Sequence, residues 1–438
     1  MHPDGEWEPE RAASPVTRGD DGWYRPDNLL VDVGLVPELP DLLAGLGVSA
    51  EPHVYGRNDD WRGRSRGPVY ENLNGRLAAQ GLPTRLWVVN ERRAELHQIV
   101  RELRARGAGV HLNHVFFGED IYHGGPDGPP AAEPGPAIAA TSSAPANGRA
   151  HLAVLDTPMP ENWASLHTWL ASEIVYRHPV NTSIGSPVDE NGDDKLDAQA
   201  GHGLFICGLV SRVARGVGKE VGAVLHATGE GEEALIAATL AETRAPVVNL
   251  SLGGYTDGDE TPTTLASAVR RVLRAGRVVV AAAGNTGRRP EYAGRKFWPA
   301  ALDGVIAVGA CDTTGGAPEP ADFSAREPWV NVHAPGRDVV SYYLDTWPDT
   351  QGRRFTGAAR WSGTSFAAPL VAAEIARRVA SAGEGVRPAD LAAAFLDELP
   401  YPHWAPNGPA RLFVPKNPDG TGAALDLTRW PSARLAGR

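Results

Sequence analysis

Three polar side chains stand just past apolar runs or at the start of one: Asp156 ends HLAVLD, Asn285 follows RVVVAAAG, and Ser365 lies in WSGTSFAAPLVAAEIARRVA. A fourth, His202, sits between Gly201 and Gly203 ahead of another apolar, helix-like run. A serine hydroxyl becomes a competent nucleophile when an imidazole accepts its proton. A carboxylate holds that imidazole in the right tautomer and stabilises its cation. The chemistry open to such a set is acyl transfer through a covalent intermediate. Ser365 on a first helical turn also offers its main-chain N–H at the positive end of the helix, while Gly363 lets a substrate backbone come close.

Each residue also has an ordinary reading. Serine is a common helix N-cap worth about 1 kcal/mol, a histidine held by a helix can be purely structural, and Asp-Thr-Pro is plain turn chemistry. With 13 histidines in the chain, only the company of the other motifs singles out His202. Asp, then His, then Ser is the chain order of the subtilisin type of triad. The motifs as a set resemble those of the subtilase family: GTSFAAPLVAA around Ser365 is the most specific, joined by AAAGN at Asn285, NLSLGG at 249–254 and GHG around His202. The resemblance covers about residues 150–400.

That resemblance implies a serine endopeptidase in which Asp156 orients His202, His202 takes the proton of Ser365, and Asn285 completes an oxyanion hole with the Ser365 N–H. It also implies a polypeptide substrate held as an extended strand along Ser251, Leu252, Gly253 and Gly254, with Ala282 to Gly284 lining the pocket for the side chain before the scissile bond. Two positions depart from the family pattern: Pro158 after Asp-Thr, and Leu204 after His-Gly. The alternative is a catalytically degenerate subtilase fold that binds or scaffolds. A nucleotide-binding enzyme is disfavoured because no GxGxxG or GxxxxGK[ST] follows a first strand, and an esterase of the α/β-hydrolase type would need GxSxG and the order Ser, Asp, His.

The elements that must position these groups read as α/β. Strands rich in Val, Ala and Leu alternate with helices from HLAVLD to GVIAVGAC, as in a parallel sheet covered on both faces. One of those helices is expected near 165–176. Ahead of them, residues 26–123 read β-α-β-β-α-β, a small α+β ferredoxin-like unit that can bury both helices on one face of a four-stranded sheet. Its position and its last strand, GVHLNHVFFGE, resemble a subtilase propeptide, which makes it an expected intramolecular partner of the catalytic part at 150–438, itself with a C-terminal extension. Residues 1–25 read as a disordered leader. Residues 124–149, dense in Pro, Gly, Ala and Ser, read as a flexible linker and the natural place for self-cleavage.

A net charge of −11 over 438 residues gives no basic footprint for nucleic acid. No apolar run approaches the roughly 20 residues of a membrane span, and the polar, acid-rich start carries no secretion signal, so a cytoplasmic protein is expected. Cys207 and Cys311 lie in apolar runs and read as small buried hydrophobes. No cofactor is required by the chemistry. Calcium is the candidate ion at 189–197, where Asp189, Asn191, Asp193 and Asp197 fall at positions 1, 3, 5 and 9 of an EF-hand-like loop. A solvated acidic loop is the competing reading, since Asp194 stands where glycine belongs and Ala200 where a bidentate carboxylate belongs.

Overall fold

The fold comes from a computed structural model that describes residues 16–19, 21–53, 72–89, 95–118, 125–134, 148–178, 187–190, 195–345, 347–348, 352–383, 385–404, 410–417 and 424–430. The larger sheet has nine strands, eight of them in the order Arg411–Leu412, Val332–Pro335, Ile306–Asp312, Val278–Ala282, Val247–Leu250, Leu152–Asp156, Lys219–Ala223, Ile174–Arg177. Every neighbour in that path is parallel, and Glu319–Pro320 pairs antiparallel to Ile306–Asp312. The class is the α/β architecture expected.

Alternate side chains of one strand feed opposite cores, which is why these strands are apolar throughout. Leu152 and Val154 join the face covered by helices His202–Val213 and Thr364–Ser381. Ala153 and Leu155 join the face covered by Glu233–Glu242 and Thr263–Arg274. Asp156 and Ala282 end their strands at the same edge of the sheet, the edge from which the two helices of the first face begin.

The N-terminal sheet is antiparallel, with Val110–Phe117, Trp23–Asp32, Thr84–Val89 and Ala50–Pro52 side by side. Taken in chain order its strands lie 4-1-3-2, the arrangement of a split βαβ unit. Helices Leu39–Ala44 and Leu96–Ala105 pack on one face around Leu29, Val31, Val100 and Leu103. The opposite face turns Leu30 and Leu86 onto helices Glu233–Glu242 and Thr263–Arg274, in one continuous cluster with Ile236, Leu240 and Val269.

Four expectations need correction. The stretch expected to be a leader contains strand Thr17–Arg18 and the start of strand Trp23–Asp32, because Thr17 and Arg18 find backbone partners in Tyr24 and Trp23; residues 1–15 and 20 lie outside the described residues. A further helix, Leu73–Ala79, stands between the second and third N-terminal strands, which the β-α-β-β-α-β reading left without one; it forms because Leu73 and Leu77 bury in the cluster that holds Ile236 and Leu240. The helix expected near 165–176 breaks at His167, whose Nε2 lies 2.9 Å from the Tyr343 carbonyl, and Ile174–Arg177 continues as an edge strand. Finally, the part of the expected linker that is described is docked. Ala131–Ala132 pairs with Ala358–Trp361, Glu133 meets Arg360 at 2.6 Å, and Arg288 holds both the Pro126 carbonyl and the Asp127 carboxylate at 2.8 Å.

Candidate active site

Asp156, His202, Asn285 and Ser365 converge at that sheet edge, each at most 1% exposed. His202 Nδ1 lies 2.7 Å from Asp156 Oδ1. The carboxylate is fixed in turn by the Thr157 N–H, which donates to Asp156 Oδ1 at 2.8 Å, and Thr157 Oγ1 accepts from the Gly203 N–H at 3.0 Å. A Cβ at Gly203 would come within 2.7 Å of the Thr157 carbonyl, so glycine is what lets the helix bearing His202 sit this close to the strand bearing Asp156. Trp361 and Phe366 flank the imidazole, with ring centroids 5.3 and 5.2 Å away.

Ser365 occupies the first turn of Thr364–Ser381. The Ser251 hydroxyl donates to its carbonyl at 2.6 Å, and the Thr364 N–H donates to Asn285 Oδ1 at 2.9 Å, which orients the Asn285 amide. Thr364 Oγ1 accepts from the Gly284 N–H at 3.1 Å, tying the Asn285 loop to the helix start. One hydroxyl, one imidazole, one carboxylate and one amide are thus held by packing and backbone hydrogen bonds, as nucleophilic acyl transfer requires.

The cleft beside them is filled by the chain itself. Val110–Phe117 enters antiparallel to Glu230–Glu232, and Phe117 exchanges both main-chain hydrogen bonds with Gly253, at 2.8 and 2.9 Å. The Gly118 N–H donates to the Gly229 carbonyl at 3.1 Å, and the Ser365 hydroxyl donates to the Gly118 carbonyl at 2.6 Å. Of the residues expected to bind substrate, Gly253 therefore pairs with an extended strand, Ser251 supports Ser365, Leu252 is turned into the core, and Gly284 adopts a φ of 93° beside Asn285.

Leu204, one of the two departures from the family pattern, is fully buried in the core. Sequence reasoning missed Gln199, Leu225 and Phe297, which border the cleft; nothing in their local patterns sets them apart from other core and loop residues. Cys207 and Cys311 are unpaired and buried, and burial pushes both thiols up to about 12.

The calcium expectation fares differently. Asn191 and Asp193 lie outside the described residues. Asp197 Oδ2 accepts from the Glu190 N–H at 2.5 Å, and burial pushes its carboxyl up to about 7. Glu190 itself pairs with His226 at 2.6 Å. No group of three or more metal-ligating side chains is gathered among the described residues. Among the described residues no helix is long and apolar enough to cross a membrane.

Residues 148–413 match the subtilase family. Similar relatives include a thermophilic serine proteinase of Bacillus sp. (strain AK1), 43% identical over 33% of this chain and 30% of the relative. A thermostable alkaline protease of Halalkalibacterium halodurans is 34% identical over 48% of this chain and 54% of the relative. The major intracellular serine protease of Bacillus subtilis is 29% identical over 43% and 58%. The chain thus spans between 30% and 58% of these relatives' lengths. A crystal structure of a cold-adapted subtilisin-like serine proteinase aligns with a TM-score of 0.42 at 23% identity, covering 61% of this chain and 88% of that one. With the family match running from the strand that carries Asp156 past the helix that carries Ser365, the chain belongs to the subtilase family.

Proposed function

We propose that the protein is a serine endopeptidase that hydrolyses peptide bonds through an acyl-enzyme. The observation that carries this reading is a main-chain carbonyl, that of Gly118, delivered on an extended strand to within 2.6 Å of Ser365 Oγ, beside a buried Asp156–His202 pair. In the reaction, His202 accepts the Ser365 proton as Oγ attacks a substrate carbonyl carbon, and Asp156 stabilises the imidazolium. The Asn285 amide and the Ser365 N–H receive the oxyanion. His202 then gives its proton to the departing amine, and water repeats the cycle on the ester.

The N-terminal domain acts here as an intramolecular inhibitor and assembly partner. Its last strand occupies the place of substrate, and its Asn113 side chain caps the catalytic helix Glu233–Glu242 by accepting from the Ala234 N–H at 3.2 Å. A parallel sheet depends on non-local contacts, and a small preformed unit seated on its helices shortens that search.

A fluorophosphonate probe applied to the full chain, beside Ser365→Ala, tests the catalytic reading. Labelling of the wild type alone, with hydrolysis of a denatured protein substrate, is the expected result. Arg25→Met, which breaks the buried contact of the N-terminal domain with Glu232, separates the outcomes: labelling of that variant alone reports inhibition, and no labelling of either protein returns the chain to the scaffold alternative.

A further inference from the structure

Residues 125–134 lie on the catalytic part beside the two loops that carry Asn285 and Ser365. Gly125 is buried with a φ of 112°, and a Cβ there would come 2.9 Å from Trp361 Nε1 and 3.3 Å from the Ser362 carbonyl oxygen. The Gly128 N–H donates to the Gly125 carbonyl at 3.0 Å, closing a turn around Asp127. From there Ala131–Ala132 pairs with Ala358–Trp361, the strand that runs on into Gly363 and Ser365, and Glu133 meets Arg360 at 2.6 Å.

Asp127 meets both loops at once. Its Oδ1 accepts from Arg288 Nη2 at 2.8 Å and its Oδ2 from Arg337 Nε at 3.1 Å, while the Pro126 carbonyl accepts from Arg288 Nη1 at 2.8 Å. Arg288 follows Asn285 in the same loop. Arg337 lies between two residues that hold the other loop: the Gly336 carbonyl accepts from the Gly363 N–H at 2.8 Å, and the Asp338 N–H donates to Ser362 Oγ at 3.0 Å. Both guanidinium groups lie over the buried Phe323 ring, 5.7 and 5.0 Å from its centroid, and the Phe323 carbonyl accepts from the Gly287 N–H at 2.7 Å. Two cations this near each other repel. Asp127 and Asp322 each bridge them, so removing one bridge loosens the join between the loops.

We propose that Asp127 is a positioning residue for catalysis: by bridging Arg288 and Arg337 it holds the loop of Asn285 and the loop before Ser365 at the spacing the oxyanion hole requires. The proposal rests on the endopeptidase reading and adds to its machinery a residue from outside the family match, which begins at residue 148. Oxyanion donors act on charge that develops in the transition state, and their worth depends on distance. A small misplacement caused by a residue that never touches substrate is therefore costly. The competing role for Asp127 is to fasten residues 125–134 to the surface. At 30% exposure a single ion pair does that weakly, whereas a network of shared carboxylates fixes geometry.

The test is steady-state hydrolysis of a peptide by the full chain and by Arg25→Met, each with and without Asp127→Ala. A docked domain that competes with substrate raises KM and leaves kcat at saturation untouched, so docking and oxyanion geometry fall on different constants. Asp127→Ala is expected to lower kcat about fivefold or more in both backgrounds, with KM changed by no more than about twofold and Tm nearly unmoved. Asp127→Glu, which keeps the charge, should recover most of the lost kcat. In Arg288→Ala, where the bridge is already broken, Asp127→Ala should cost little more. A kcat that is unchanged in Asp127→Ala, that falls only together with Tm, or that Asp127→Glu does not recover overturns the proposal, as does a loss confined to KM. If neither the wild type nor Arg25→Met takes up fluorophosphonate or cleaves any peptide, it is the endopeptidase reading that is overturned.

Discussion

The interior of the catalytic part and its seam with the N-terminal domain are built on different principles. In the interior, strands such as Leu152–Asp156 bury both faces against helices, and cohesion is largely the non-directional burial of Leu204, Phe205, Leu209, Phe366 and Leu370. The seam has apolar contact too, through Leu30, Leu73, Leu77 and Phe116, but it is laced with charge. Arg25 meets Glu232 at 2.8 Å, both almost wholly buried; Arg76 meets Glu242 at 2.8 Å; Arg101 meets Asp257 at 2.6 Å; and Arg104 meets Glu260. Paired charges select one docked geometry while leaving surfaces that water can solvate after separation. Burial holds Asp156, His202 and Ser365 in place, whereas charge pairs and apolar contacts together hold the seam.

The comparison breaks most visibly at the catalytic groups. Ser365→Ala and His202→Ala should each lower kcat by roughly 10⁴-fold or more, as for residues that act as one unit, with Tm and seam intact. Asn285→Ala should cost about 10²–10³-fold in kcat with little change in KM, the scale established for subtilisin's own oxyanion donor. Steady-state kinetics beside thermal melts checks all three. Wild-type turnover in Ser365→Ala would remove the nucleophile assignment.

A buried seam charge should do the opposite and raise activity on added peptide. Arg25→Met leaves Glu232 uncompensated in the docked state, a penalty of about 3–5 kcal/mol. That should weaken docking about a hundredfold or more. Pairing it with Glu232→Leu should restore docking and with it the low basal rate. If the single and double variants hydrolyse peptide alike, the seam is not held by this pair.

A third test separates stability from both. Burial pushes the Asp197 carboxyl up to about 7 in the folded chain, while an unfolded one ionises near its ordinary value of about 4. The folded state therefore holds this proton more tightly. Its contribution is fully present below about pH 4 and is lost as pH rises towards 7, by up to a few kcal/mol. Asp197→Asn should flatten that segment of the Tm-against-pH curve; a curve unchanged by the substitution would show that the carboxyl is not strained by burial.

The smallest effect should come from the exposed rim of the seam. Arg104 and Glu260 are 35% and 45% exposed, and a pair of that kind is worth about 0–1 kcal/mol and is screened by salt. Arg104→Ala should change basal activity no more than severalfold, and less so at 1 M salt. An effect as large as that of Arg25→Met would mean that the rim, and not the buried pair, holds the domain.

Much of the site was legible without coordinates because its signals are local. An apolar strand ending in Asp156, a glycine-flanked histidine before an apolar run, and GTS at a helix start are each decided within a few residues by period and backbone freedom. The same holds for the alternation that makes the catalytic part α/β and for the amphipathic helix Leu96–Ala105. Tertiary structure alone decided the rest. Helix Leu73–Ala79 gains its burial from residues such as Leu240 far along the chain, and Ala131–Ala132 becomes a strand only because Ala358–Trp361 offers it an edge. The packing of Gln199 and Leu225 against Gly118, and of Phe297 against Gly253 and Gly284, likewise depends on where distant segments meet. The physical reason is one of range: dihedral preference and side-chain period act between near neighbours, whereas steric fit and charge pairing act between whichever atoms the folded chain brings together.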